Sequence, residues 1–108
     1  MIPSETDRGK TKYFLKFVFD ALKEWQALDG SIKEPLRKAL KKRLEQSHVL
    51  GAELHGDLRG CYKIKLRKQG YRLVYTVEDD VLVVFVLAID RSEDLAAYHA
   101  AMDRLLEK

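Results

Sequence analysis

The fold is decided by residues 61–75, which read CYKIKLRKQGYRLVY. Apolar and basic residues alternate along the first half, and this period of two separates them onto the two faces of a β-strand. Gln69-Gly70 predicts a tight turn, because glycine adopts the positive φ that hairpin turns require. The second half is predicted to return as an antiparallel strand, which gives a hairpin with one apolar face. The opposite, cationic face is expected to carry Lys63, Lys65, Arg67 and Arg72.

All the charged residues expected on that face are basic, and this bears on its function. Outer faces of antiparallel sheets commonly contact only solvent, but like charges on neighbouring strands repel. No acidic residue occurs between Leu58 and Val77. A solvated face and an anion-binding face are both compatible with the alternation, and the single sign favours an anion such as a phosphate backbone.

Composition sets further bounds. A chain of 108 residues with a formal net charge of +3 fits one domain, and its modest charge means that the position of the basic residues matters more than their number. The single cysteine, Cys61, excludes an internal disulfide framework and is expected to be a buried thiol in a reducing compartment. No apolar run approaches the roughly 20 residues of a membrane span. We therefore expect a cytoplasmic protein.

The remaining sequence predicts the order of secondary structure. Residues 1–11 lack apolar periodicity and are expected to form a flexible extension, followed by one domain over residues 12–108. The predicted elements are a strand over 12–18, a helix capped by Asp20 and ending at Leu28, a helix over 32–48 capped by Ser31, a loop over 49–59, the hairpin, a buried central strand over 81–89, and a helix over 92–107 capped by Ser92. The order β-α-α-β-β-β-α predicts an α+β fold with an antiparallel sheet, an N-terminal pair of helices and a C-terminal helix.

The second predicted helix carries a basic run that includes Lys38, Lys41 and Lys42. Such a run is usually a solvated helix face, because long cationic side chains reach solvent readily. The alternative is a second surface that contacts phosphates.

The residue types exclude several kinds of active site. His48, His55 and His99 are far apart, and the CxxC and HExxH motifs are absent from the sequence. We therefore expect neither a metal nor another cofactor.

Five residues could instead cleave RNA, if the last helix and the loop before it pack near the cationic face: Lys63, Lys65, Arg72, Arg91 and Tyr98. Attack of a 2′-hydroxyl on its own phosphate needs a base, stabilisation of charge on the phosphorus oxygens, and an acid for the leaving 5′-oxygen. Lys65 is the candidate base, because neighbouring cations are expected to lower the pKa of a lysine. Arg72 suits charge stabilisation, and Arg91 is the candidate donor to the leaving group. Tyr98 could stack on a base or assist a proton transfer.

Several segments resemble the RelE toxins of bacterial toxin–antitoxin pairs, over roughly residues 13–106. They are FL at 14–15, ALKEW at 21–25, LHG at 54–56, CYKIKLR at 61–67, GYRLVY at 70–75 and the segment 91–98. The resemblance implies a fold similar to small microbial ribonucleases and cleavage of messenger RNA in the ribosomal A site. It also implies inhibition by a RelB-type antitoxin, whose complex with the toxin represses its operon, so that operator DNA is contacted only through the antitoxin.

The resemblance also implies site residues. The two lysines of the family's first hairpin strand match Lys63 and Lys65, its arginine after the Gly-Tyr turn matches Arg72, and its tyrosine on the last helix matches Tyr98. Whether Lys65 or Tyr98 is the base stays open. Contacts to RNA or the ribosome are expected from His55, Arg59, Arg67, Lys68, Lys38, Lys41 and Lys42.

This chain departs from the family pattern at two places. His55 stands where the family has an arginine, so a titratable group replaces a fixed charge. An ungapped alignment puts Ser92 at the family's leaving-group arginine, with Arg91 one position earlier. Two other classes are weighed against the ribonuclease: a ParE-like toxin that binds DNA gyrase without cleaving nucleic acid, and a plain nucleic-acid-binding module. The joint presence of Lys63, Lys65, Arg72 and Tyr98 favours the ribonuclease.

Overall fold

The computed structural model describes residues 12–93 and 95–107, so the extension expected over residues 1–11 lies outside the described residues. The elements are β1 (Phe14–Phe17), α1 (Phe19–Ala27), α2 (Gly30–Glu45), β2 (Cys61–Leu66), β3 (Tyr71–Glu78), β4 (Val83–Arg91) and α3 (Ala96–Arg104), followed by a 3₁₀ turn (Leu105–Glu107). The predicted α+β class and element order are confirmed. Within the described ranges, no helix combines the length and the apolar character needed to cross a bilayer.

The sheet has the strand order β1-β4-β3-β2, with β4 in its interior as the apolar run predicted. The expectation of an antiparallel sheet holds for β2, β3 and β4 and is wrong for β1, which runs parallel to β4. Parallel neighbours need a long crossover connection, and the chain between β1 and β4 contains both α1 and α2. Alternation within a strand does not reveal the direction of its neighbour.

The predicted helix caps are wrong by two or three residues. Helix α2 is capped by Asp29, whose carboxylate accepts a hydrogen bond of 3.0 Å from the Ser31 N–H. Ser31 therefore lies inside the helix, and since both residue types cap well the sequence could not choose between them. Helix α1 begins at Phe19 behind Val18, which puts Asp20 in its first turn.

The start of the last helix and the length of the hairpin turn also differ from expectation. Helix α3 begins at Ala96, behind Leu95 with its φ of 57°, and not at Ser92. The hairpin turn spans residues 67–70 and closes with a 2.8 Å hydrogen bond from the Gly70 N–H to the Leu66 carbonyl. Gly70 has the predicted positive φ, 73°. The turn is longer than Gln69-Gly70 alone, so Arg67 belongs to it and not to a strand face.

The two faces of the hairpin are as predicted. Ile64 pairs with Leu73 and Tyr62 with Tyr75, and cross-strand partners share a face of the sheet. Helix α2 covers this apolar face with buried Leu36 and Leu40. Cys61 is fully buried, as expected.

Candidate active site

The strand register arranges the cationic face in rows. Lys65 pairs with Arg72 on β3, and Arg72 pairs with Asp90 on β4, so these three side chains form one row across the sheet. The next row contains Lys63, Val74 and Ala88. The alternation of the hairpin therefore placed Lys63, Lys65 and Arg72 on one face correctly.

Helix α3 lies on this same face. Its Ala97 and Ala101 are fully buried, and side chains this small let the helix approach the sheet closely. Tyr98, one residue after Ala97, covers the guanidinium of Arg72, whose central carbon lies 4.5 Å from the ring centre. This distance is typical of a cation–π contact.

Arg72 is unusual among the buried residues. Only 7% of its surface is exposed, and its Nε and Nη1 atoms are buried with no hydrogen-bond partner among the described residues. Most buried polar groups in proteins are paired, because an unpaired donor loses its water without replacement. A guanidinium held in this way is ready to bind an anion. Lys65 in the same row is exposed, so the row is open to a ligand at one end.

A cluster of charged groups fixes α3 in place. Beyond Phe17, β1 no longer covers the edge of β4, and side chains take over the backbone groups of that edge. Arg104 of α3 donates to the Leu87 carbonyl at 3.0 Å, and Glu24 of α1 accepts from the Ile89 N–H at 3.0 Å. The two side chains also pair with each other through two hydrogen bonds of 2.9 Å. This Arg104–Glu24 latch holds the helix that carries Tyr98.

Arg91 does not join the cluster. It pairs with Tyr71, and its guanidinium carbon lies 5.4 Å from the centre of that ring. Since side chains alternate along a strand, Arg91 points to the opposite face from Asp90 and Arg72. The expected convergence of five residues is therefore seen for Lys63, Lys65, Arg72 and Tyr98 and not for Arg91. Ser92 donates its backbone N–H to the Gly70 carbonyl at 2.9 Å, which ties the end of β4 to the hairpin turn.

The expected RNA contacts fall into two groups on the surface. His55 and Arg59 are exposed on either side of the 3₁₀ turn Gly56–Leu58, against which α3 packs. Arg67 and Lys68 are exposed in the hairpin turn, next to the end of β2 that carries Lys65. The lysines of the basic run on α2, Lys38, Lys41 and Lys42, are exposed on a helix that covers the other side of the sheet.

The apolar face carries a hydrogen-bonded cluster that contrasts with Arg72. His48 bonds the Tyr62 hydroxyl at 2.8 Å and Asp79 at 3.0 Å, and the Tyr13 hydroxyl donates to Asp79 at 2.6 Å. The hydrogen bonds from Tyr13 and His48 hold the pKa of Asp79 below its usual value. Burial raises the pKa of Tyr75, which stacks on Tyr62.

Sequence reasoning missed Asp90, Arg104 and Glu24. Asp90 joins the cationic face only through the pairing of β3 with β4, and this pairing shifts by one residue between Val74 and Tyr75, which leaves Leu87 unmatched. The nearly uniform apolar run over residues 81–89 hides that shift. The signal for Asp90 was its position directly after the run, at the end of a central strand.

Comparison with known proteins identifies relatives over most of the chain. Residues 15–96 match the family described as ParE toxin of type II toxin–antitoxin system, parDE. The chain is 45% identical over 94 residues to the mRNA interferase toxin RelE of Escherichia coli K12, an alignment that covers 87% of this chain and 98% of the relative.

Solved structures agree with this similarity. The free form of a mutant E. coli RelE toxin superimposes with a TM-score of 0.79 at 44% identity, covering 87% of this chain and 98% of that one. The toxin in the intact E. coli RelBE toxin–antitoxin complex superimposes with a TM-score of 0.71 at 47% identity, covering 75% of this chain and 98% of that one.

Proposed function

Because the chain belongs to the RelE/ParE family of type II toxins, we propose that it is a RelE-type mRNA interferase, an endoribonuclease that cuts messenger RNA. The observation that carries this proposal is buried Arg72, which has unpaired donors, pairs across the hairpin with exposed Lys65 and contacts the Tyr98 ring. A guanidinium in this state matches the charge and geometry of an RNA phosphate. The reaction is attack of a 2′-hydroxyl on the adjacent phosphorus, with loss of the 5′-oxygen.

Each residue of the cluster has a role in this reaction. Arg72 stabilises the charge that grows on the phosphorus oxygens, and Lys63 binds the same phosphate or its neighbour. Lys65 and Tyr98 are the candidates for the proton transfers. Action of Arg91 at the leaving group stays a prediction, and it needs the side chain to leave Tyr71.

The ribosome supplies the alignment that this cluster lacks. The row of Lys65 and Arg72 is open to solvent at Lys65, so a substrate already held in line gains the most. The exposed cations around the face, Arg59, Arg67 and Lys68, are proposed to contact messenger or ribosomal RNA in the A site. His55 adds a further contact, and the lysines of α2 offer a second basic surface. The toxin acts in the cytoplasm.

The inhibitory partner is a RelB-type antitoxin. It is proposed to block the toxin by covering the cationic face or by displacing α3, which would carry Tyr98 away from Arg72. Displacement must break the Arg104–Glu24 latch, whereas covering leaves it intact. Equal hydrogen-exchange protection of the α3 amides in the free toxin and in the complex would contradict displacement.

The gyrase-binding and plain nucleic-acid-binding alternatives predict no RNA cleavage. The test is to map 5′ ends on ribosome-bound message and on the same RNA free in solution. We expect wild-type protein to cut the bound message much faster, and Lys65→Ala to lose about 10²–10⁴-fold in rate, as removal of a proton-transfer group does. Lys16→Ala is the matched control, because Lys16 is an exposed lysine on β1.

Folding does not confound this test, since Lys65 is exposed and contributes little to the core. Wild-type cleavage by folded Lys65→Ala would remove Lys65 from the mechanism. Equal rates on free and bound RNA would contradict the requirement for the ribosome. Growth arrest without new 5′ ends would favour the gyrase alternative.

A further inference from the structure

Asp90 is an acidic residue at one end of a cationic row. It ends the row that Lys65 and Arg72 begin, because Arg72 pairs with Lys65 on one side and with Asp90 on the other. Directly opposed side chains on an antiparallel pair lie on the same face, with their Cβ atoms about 5 Å apart. The described strands place one other carboxylate on this face, Glu78, which lies three rows away at the far end of β3.

The carboxylate of Asp90 forms no ion pair with the described residues. It is exposed, and its Oδ1 accepts a 2.7 Å hydrogen bond from the backbone N–H of Arg91. Across the described part of the chain, no cation lies within salt-bridge distance of it, although Arg72 is its direct neighbour. The Nε and Nη1 atoms of Arg72 likewise have no partner among the described residues, although they are shielded from solvent. Carboxylate and guanidinium are thus neighbours in the sheet that are not paired with each other, and the exposed carboxylate is open to a ligand.

The order of the row matters for an in-line reaction. Adjacent strands are about 4.8 Å apart, so Lys65 and Asp90 flank Arg72 from opposite sides. The backbone positions of Lys65 and Asp90 are therefore roughly twice that distance from each other. In an in-line displacement, the attacking 2′-oxygen and the leaving 5′-oxygen lie on opposite sides of the phosphorus. A phosphate bound to Arg72 would therefore present one oxygen toward each flanking residue.

We propose that Asp90 is the general base of the cleavage reaction and that Lys65 is its general acid, an assignment that rests on the proposed function. The Asp90 carboxylate takes the proton of the 2′-hydroxyl while the 2′-oxygen bonds to phosphorus. The bond from phosphorus to the 5′-oxygen breaks, and that oxygen takes a proton from the Lys65 ammonium. The products are a 2′,3′-cyclic phosphate and a 5′-hydroxyl, and exchange with solvent returns both side chains to their starting states.

The assignment supplies a donor to the leaving group where the alignment puts Ser92 in place of a family arginine. Tyr98 then positions Arg72 through ring contact and need not transfer a proton.

The first measurement is single-turnover cleavage of ribosome-bound message by wild type, Asp90→Asn and Glu78→Gln. Asparagine keeps the oxygen that accepts from the Arg91 N–H and removes the base. We expect Asp90→Asn to lose about 10²–10⁴-fold in rate at saturating toxin, as loss of a general base does. Glu78→Gln should keep wild-type activity. Cleavage by Asp90→Asn at the wild-type rate or faster overturns the proposal, and a faster rate would mean that Asp90 merely repels the phosphate.

A second substrate separates the base from the acid. Sulfur in place of the bridging 5′-oxygen leaves without a proton, so this substrate bypasses the acid and still needs the base. We expect Lys65→Ala to approach the wild-type rate on this substrate and Asp90→Asn to stay slow. Recovery of Asp90→Asn, or continued inactivity of Lys65→Ala, overturns the assignment. If wild-type protein cuts neither message, the proposed function itself fails.

Discussion

Two arginine–tyrosine pairs lie on opposite faces of the sheet, and they differ in the partners of the guanidinium. On the apolar face, the Arg43 carbon lies 5.7 Å from the Tyr75 ring centre, and Nη1 donates to the tyrosine hydroxyl at 2.9 Å. That hydroxyl donates in turn to the Ser47 carbonyl at 2.8 Å. On the cationic face, Arg72 contacts the Tyr98 ring more closely and leaves two buried nitrogens without partners.

The difference separates a pair whose hydrogen bonds are satisfied within the protein from a pair that we propose serves the reaction. A buried donor without an acceptor costs about 1–3 kcal/mol, and a fold under selection for stability alone would remove it or pair it. The pair of Arg43 and Tyr75 meets that requirement within the protein. We infer that Arg72 meets it only when substrate is bound, so that part of the stability of the free toxin is given up for binding.

Replacing each arginine in turn by methionine tests this difference. The largest expected effect is the loss of cleavage in Arg72→Met. Arg72→Met should reduce cleavage by at least about 10²–10³-fold, because the phosphorus oxygens lose their main hydrogen-bond donor. Its free energy of unfolding should equal or exceed that of wild type, since unpaired buried donors are removed. Urea denaturation and cleavage of ribosome-bound message measure the two quantities.

Arg43→Met is the matched variant and should show the reverse. Its free energy of unfolding should fall by about 1–3 kcal/mol, because the Tyr75 hydroxyl loses a charged donor. Cleavage per folded molecule should stay at the wild-type level. A large loss of stability in Arg72→Met, or a loss of cleavage in folded Arg43→Met, would contradict the division between the two faces.

Arg104→Met tests whether the position of Tyr98 over Arg72 matters, and its expected effect on cleavage is smaller. The variant opens the Arg104–Glu24 latch, so α3 is held less firmly and Tyr98 loses its fixed position over Arg72. We expect cleavage to fall by up to about 10²-fold, as misplacement of a supporting element does. The free energy of unfolding should fall by about 1.5–3 kcal/mol, the value of a hydrogen bond to a charged group.

An exposed ion pair provides the control for the latch. Arg37 and Glu34 form a 2.9 Å pair on α2, with 54% and 60% of their side-chain surfaces exposed. Arg37→Met should change stability by less than about 0.5 kcal/mol, because exposed helix pairs are screened by solvent. If both variants behaved alike, the latch would be an ordinary surface pair and not a positioning device.

The sequence predicted what depends on local periodicity and failed where distant pairing decides. Alternation along β2 and β3 placed Lys63, Lys65 and Arg72 on one face, because strand geometry alone fixes this. The side of Arg91 and the place of Asp90 depend on the β3–β4 register, which shifts by one residue at Leu87 inside a nearly uniform apolar run. The convergence of Tyr98 with Arg72 was expected only on the condition that the last helix packs near the cationic face, and periodicity alone could not supply that condition.

Local sequence patterns could not predict the Arg104–Glu24 latch or the parallel direction of β1, for the same reason. Glu24 and Arg104 are 80 residues apart in sequence and meet at an edge that exists only because β1 ends before β4 does. Each side chain alone is typical of a solvated helix face. Two good caps, Asp29 and Ser31, stand two positions apart, and only the three-dimensional start of α2 distinguishes them.

The smallest expected effect concerns the paired cluster on the apolar face. Hydrogen bonds from Tyr13 and His48 lower the pKa of Asp79. A carboxyl with a lowered pKa in the folded state stabilises the protein above its unfolded pKa, and this contribution disappears as the pH falls through the folded value. Asp79→Asn should therefore be less stable than wild type at pH 7, by less than about 1 kcal/mol because Asp79 is largely exposed. The difference should vanish under acid conditions, below the ordinary aspartate pKa of about 3.8.

Thermal unfolding of wild type and Asp79→Asn from pH 7 to pH 2.5 measures this difference in stability. Asp80→Asn is the control, since Asp80 makes none of these hydrogen bonds. Cleavage at pH 7 should be unchanged in both variants, because the cluster lies on the face opposite Arg72, and a loss of cleavage in Asp79→Asn would show that the two faces are coupled.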